Sequence, residues 1–199
     1  MDWMEKEGGG PVKRLLLDWD GVVRADYYSL RADTPEEKEA ERARFVSHRP
    51  HGVSHELLVD PAVVARLNAV ADRADVTVTW LTAVGRFAPD VFAPAVGLSS
   101  FGNTPGASDE PGQSGAPMSG FPSNFWWKAV VARDLLESSH DDILWIDDNF
   151  YGDLQHYAGQ WEGVGGLSWI QPNGRLGLSV GELGLIDAWA DGKTVRHSR

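Results

Sequence analysis

Three short apolar runs, each ended by an acidic or hydroxyl side chain, constrain this chain more than any other feature. Residues 12–19 hold Leu15, Leu16 and Leu17 in succession before Asp20-Gly21, residues 76–81 read VTVTWL before Thr82, and residues 143–146 read ILWI before Asp147-Asp148. A strand buried on both faces reads as a short continuous apolar run rather than an alternating one, and it belongs in a parallel sheet covered by helices. Helical patterns separate the runs. Asp60 can cap a helix with Pro61 in its first turn, and Val63, Val64, Leu67, Val70 and Ala71 recur at helical spacing to about Ala74. A second helix starts near Ser123 and carries Phe125, Trp126, Trp127, Lys128, Val130, Val131, Leu135 and Leu136. Strand, helix, strand predicts an α/β fold, a doubly wound parallel sheet. Shorter elements are predicted at 87–96 (helix), 151–158 (helix) and 167–171 (strand), with a turn at Pro172-Asn173-Gly174. Ser179 with Glu182 three residues on reads as a capping box opening a last helix through Leu183, Leu185, Ile186, Ala188 and Trp189.

With 199 residues, 42% of them hydrophobic, the chain can bury one good core, so a single domain is expected over residues 12–190. Residues 1–11 and 191–199 read as flexible ends. Residues 24–59 read as an insertion outside the core, a flap or minimal cap. Its charged stretch 33–44, with a capped start at Thr34-Pro35-Glu36-Glu37, is a solvated helix face. His48, His51 and His55 follow within eight residues, but no helical or hairpin pattern converges them on zinc, so a solvated loop that can touch substrate is expected. Residues 99–124 read as a long loop, because Gly, Pro and Ser fill 15 of 26 positions.

Composition removes whole classes of function. The absence of cysteine excludes disulfide scaffolds, thiolate metal sites and cysteine nucleophiles. A net charge of −11 disfavours nucleic acid and anionic membranes as partners. No apolar run approaches the roughly 20 residues of a membrane span, and the acidic, glycine-rich start is unlike a signal peptide, so a cytoplasmic protein is expected. No GxxxxGK[ST] pattern and no GxGxxG after a strand supports an NTPase or dinucleotide-binding reading.

The remaining signal lies where the strands end. Ligands of open parallel sheets bind at the carboxyl edge, which here receives Asp18 and Asp20, then Thr82, then Asp147 and Asp148. Four carboxylates converging there repel one another unless some are protonated or a divalent cation neutralises them. Oxygen ligands without cysteine favour Mg²⁺.

Asp18-Trp19-Asp20-Gly21-Val22, Thr82, Lys128 and Asp147-Asp148, in this order and each at the end of the right kind of segment, resemble the four motifs of the haloacid dehalogenase (HAD) superfamily. The resemblance spans roughly residues 13–153. Trp80-Leu81-Thr82 and Trp145-Ile146-Asp147-Asp148 are similar to the small, minimal-cap HAD-like proteins of actinobacterial type. It implies a Mg²⁺-dependent phosphatase acting on a phosphorylated small molecule or macromolecule. Asp18 would be the nucleophile and Asp20 the general acid and base. Asp20 also separates phosphatases from dehalogenases, which lack a carboxylate there. Thr82 and a neighbouring backbone N–H would hold a phosphoryl oxygen, with Trp19, Gly21 and Ala83 around the substrate. Lys128 would supply positive charge, with Lys193 or Arg86 as stand-ins. Asp18, the Asp20 carbonyl, Asp147 and Asp148 would hold the metal, with Asp153 a further candidate. Trp126 or Trp127 could line the pocket. The rival readings are a catalytically idle HAD-like binding protein, a phosphotransferase and a nucleic-acid end phosphatase.

Overall fold

The computed structural model describes residues 12–25, 36, 39, 42–103, 127–139, 141–149 and 166–195. The expected helix at 151–158, the start of the charged stretch, most of the 99–124 loop, Trp126, Asp153 and both chain ends lie outside the described residues, as does the side chain of Trp127. In chain order the strands are β1 (Lys13–Leu17), β2 (Arg24–Ala25), β3 (Val46–His48), β4 (Leu57–Val59), β5 (Val76–Trp80), β6 (Gly102–Asn103), β7 (Asp142–Ile146) and β8 (Leu167–Ile170). The helices are α1 (Pro61–Ala71), α2 (Ala93–Val96), α3 (Trp127–Ser139) and α4 (Val180–Ala190). A π-helical turn, Ala88–Phe92, leads into α2.

The main sheet has the order β6-β5-β1-β7-β8, and all four pairings are parallel. Successive side chains of a strand point to opposite faces, and both faces here are covered. Leu15, Leu17, Val76, Val78, Leu144 and Ile146 pack with Val63 and Leu67 of α1 and with Leu183, Ile186 and Trp189 of α4. Leu16, Ile143 and Trp145 pack on the other side with Ala129, Ala132 and Leu136 of α3. Burial on two sides is why three leucines in a row suit β1. The helices form where their signals stand. Asp60 Oδ1 accepts from the Ala62 N–H at 2.8 Å ahead of Pro61. In α4, Ser179 Oγ accepts from the Glu182 N–H and Glu182 Oε2 accepts from the Ser179 N–H, which closes the capping box.

Two segments differ from the sequence reading. Gly102 and Asn103 form an edge strand on β5 inside the expected loop, because parallel pairing there uses only backbone groups. The insertion is a second, antiparallel sheet of order β2-β4-β3, and its Leu57 and Val59 are buried in the main core rather than outside it. Arg44 clamps this insertion down. Its guanidinium donates to Asp60 Oδ2 at 2.6 Å and to the Leu176 and Leu178 carbonyls at 3.0 and 2.9 Å. Among the described residues, no helix is long and apolar enough to cross a membrane.

Candidate metal centre

Parallel pairing places the carboxyl ends of β1, β5 and β7 on one edge, and the ladder continues beyond them. The Leu81 N–H donates to the Leu17 carbonyl at 2.9 Å, the Asp18 N–H to the Ile146 carbonyl at 3.0 Å and the Asp147 N–H to the Ile170 carbonyl at 3.3 Å. Asp18 and Asp147 thus leave adjacent strands at one level. The chain builds outward from β1 to β5 and β6, then returns to β7 on the other side of β1, so this is also where the strand order reverses. Such a crevice is the usual ligand site of an open α/β sheet.

A helix that feeds a parallel strand runs back across the sheet, so α3 begins at the carboxyl edge. Lys128 is its second described residue. Its Nζ donates to Asp18 Oδ2 at 2.6 Å and to Asp147 Oδ2 at 2.7 Å, and all three residues are buried. The remaining carboxylate oxygens are held by backbone: Asp18 Oδ1 accepts from the Trp19 N–H at 2.7 Å, and Asp147 Oδ1 from the Asn149 N–H at 2.9 Å. Asp148 is fixed differently. Gln171 Nε2 donates to its carbonyl at 3.1 Å, and its carboxylate lies between Gly21 and Gly174, where a Cβ on either glycine would collide with it. Gly21 also has φ +69°, which a side chain would strain.

Asp18, Asp147 and Asp148 each offer an oxygen within 4.8 Å of the others, and among the described residues this is the one group of three acidic or imidazole side chains so arranged. Fully ionised, three carboxylates and one ammonium leave two negative charges in a largely buried space. The carboxylates respond by holding protons. Burial, and then the Asp18 charge, push Asp147 up to about 7 against the pull of Lys128. Asp148 is pushed up to about 6 by the same two causes. Burial opposes the charge on Lys128, but Asp18 and Asp147 outweigh it and lift the ammonium above its ordinary range. Two acceptors within 2.7 Å require a donor between them, so Lys128 carries the proton and the unbalanced charge sits on the acids. A divalent cation matches that imbalance in sign and size, and an all-oxygen donor set suits a hard ion. The cluster can therefore hold a metal ion.

The other expected site residues divide. Thr82 is buried at the end of β5, with its hydroxyl oxygen accepting the Val84 N–H at 3.4 Å. Ala83 beside it is exposed. Trp19 is fully buried, and its ring packs against Trp80 and Phe92, so its backbone N–H rather than its indole serves the centre. Asp20 stands apart from the trio: its half-exposed carboxylate accepts from Arg24 Nε at 2.6 Å. Lys193 pairs with Asp191 at 3.7 Å, so the cation at the trio is Lys128. His51 and His55 are exposed in the β3–β4 turn, and among the described residues no group of metal-ligating side chains includes them or His48. Sequence reasoning did not single out Arg24, Asn149, Gln171 or Gly174. Gln171 and Gly174 could have been suspected from β8 alone, since the strand beside β7 must end next to Asp148.

No protein-family model matches the chain, and no curated protein or solved structure matches it.

Proposed function

We propose that this chain is a Mg²⁺-dependent phosphomonoester hydrolase of HAD type, with Asp18 as the nucleophile. The observation that carries the reading is the Lys128 ammonium held between Asp18 and Asp147 at the point where the strand order reverses. The doubly wound HAD arrangement belongs to the same proposal and is supported by the order β6-β5-β1-β7-β8 with helices on both faces. Asp18, Asp147 and Asp148 would hold the Mg²⁺. When bound, the ion withdraws charge from the phosphoryl oxygens and removes the repulsion that an anionic nucleophile meets.

The chain's own residues then have defined tasks. Asp18, held at both oxygens by Lys128 and the Trp19 N–H, has its carboxylate fixed for attack. An Asp18–phosphorus bond forms, the bond to the ester oxygen breaks, and a proton from Asp20 goes to the departing alkoxide. Water then attacks phosphorus and gives its proton to Asp20, the Asp18–phosphorus bond breaks, and inorganic phosphate leaves. Thr82 donates its hydroxyl to a phosphoryl oxygen, and Lys128 balances the charge that accumulates. Asp20 would carry that proton while its Oδ1 accepts from Arg24.

That last contact favours a second reading, a phosphate- or metal-binding protein without turnover, in which Asp20 only pairs with Arg24. Hydrolysis of p-nitrophenyl phosphate with and without Mg²⁺, wild type beside Asp18→Asn, separates the two. The phosphatase reading expects Mg²⁺-dependent turnover that the variant loses by at least about 10³-fold. Bound Mg²⁺ with no turnover by wild type on this or other phosphomonoesters selects the binding protein.

A further inference from the structure

We propose that a cavity between the inserted sheet and the loop after β5 is the subsite for the organic part of the substrate, and that it selects an uncharged, apolar or aromatic group. The proposal rests on the phosphatase reading and names its substrate class. The cavity measures about 360 Å³ and starts at Ala83 and Val84, directly after Thr82. Its opposite wall is the β3–β4 turn, where Val53 faces it and Ser54 and His55 form a polar rim. Its floor is aromatic. Phe87 and Phe92 line it and stack on one another with centroids 5.7 Å apart.

Three observations converge on a ligand of this kind. The volume falls in the range of roughly 300–1,000 Å³ typical of small-molecule sites, which combine apolar walls with a few polar groups. No lysine, arginine, aspartate or glutamate lines the cavity among the described residues, so apart from Ser54 and His55 at the rim its walls are apolar. The floor is also presented by an unusual backbone. Phe87 precedes and Phe92 ends the π-helical turn Ala88–Phe92, and such turns concentrate at functional sites. Trp19 then joins floor to centre: its ring lies 5.2 Å from Phe92, while its N–H holds Asp18. A phosphoryl group at Thr82 would stand one residue from Ala83, where the cavity begins. A monophosphate of an aromatic or branched apolar alcohol suits this lining, and sugar phosphates and bisphosphates suit it less.

The test fills the cavity from its loop wall. Val53→Trp is the main variant and Ser54→Phe, at an exposed position, the second, each checked for folding by its thermal melt. With Mg²⁺, wild type should prefer 2-naphthyl phosphate to glucose 6-phosphate by about tenfold or more in kcat/KM, and either variant should lower the ratio for 2-naphthyl phosphate over acetyl phosphate about tenfold. Binding of 2-naphthol, read by tryptophan fluorescence, should weaken by a similar factor in the variants. Equal kcat/KM on naphthyl and sugar phosphates, with the ratio untouched by both variants, overturns the subsite and leaves the phosphatase standing. If no phosphomonoester is hydrolysed, the phosphatase reading fails separately. In that case 2-naphthol binding that the variants abolish upholds the cavity as an apolar ligand site, and absence of naphthol binding by wild type overturns it.

Discussion

Lys128 shows how much one side chain can carry when its surroundings are dry. Its ammonium sits 2.6 and 2.7 Å from two buried carboxylates, in a space where burial works against its charge. Removing one partner of such a group leaves the others buried without compensation, which typically costs about 3–5 kcal/mol. The loss is specific in pH. Lys128→Met should cost about 3 kcal/mol near pH 8, above the Asp147 value of about 7, where that carboxylate would be buried without its cation, and less near pH 5, where Asp147 holds a proton. Urea unfolding of metal-free protein at the two pH values measures this. An equal loss at both would mean that Lys128 contributes packing rather than charge. The residue was singled out in the sequence by the resemblance, which implied a lysine in the helix between the second and third apolar runs. Arg24 was not. Its contact with Asp20 depends on the chain turning back within four residues at Gly21, whose N–H donates to the Arg24 carbonyl at 2.9 Å.

At the scale of elements, apolar runs and caps were read from the residues themselves, and the described parts of β1, α1, β5, β7, β8 and α4 follow them within a few positions. What escaped was set by partners. The edge strand β6 consists of Gly102 and Asn103, which carry no strand propensity and are ordered by β5 alone. The π-helical turn has no sequence signal, since Pro89 and Asp90 suit the first turn of any helix. The candidate centre divides along the same line. Asp18, Thr82, Asp147 and Asp148 could be placed because each terminates a strand. The Gly21–Asp148–Gly174 sandwich could not, because it joins two turns more than 150 positions apart whose approach only the finished sheet creates. That sandwich predicts a defined effect. Gly174→Ala puts a methyl group against the Asp148 carboxylate without disturbing β8, so Asp148 must turn away. Mg²⁺ affinity by calorimetry should fall about tenfold while the melting temperature stays near wild type, the size expected when the support of a metal ligand is lost. Unchanged Mg²⁺ binding would remove Asp148 from the ligand set.

For the whole molecule the acidic centre links stability, proton binding and metal in one equilibrium. The carboxyls of Asp147 and Asp148 sit at about 7 and about 6, against 3.8 in an unfolded chain. The sign follows directly. Between pH 4 and 7 the folded, metal-free protein holds protons that the unfolded chain has already released, so stability is greatest at the low end and falls as pH rises through the folded values. At roughly 1.4 kcal/mol per unit, reduced at Asp148 because water reaches it, the loss is on the order of 4–6 kcal/mol. For a domain of this size that lowers the melting temperature by roughly 10–20 °C. A divalent ion takes the place of those protons, binds the ionised folded state and not the unfolded chain, and so raises stability most where the metal-free protein is weakest. Thermal melts in chelator and in Mg²⁺ at steps from pH 5 to pH 8 should therefore give two curves that meet near pH 5 and separate steadily above pH 6. A metal-free melting temperature that rose across this range would mean that Asp147 and Asp148 are ionised without a cation, and the charge argument for a metal at this edge of the sheet would fall with it.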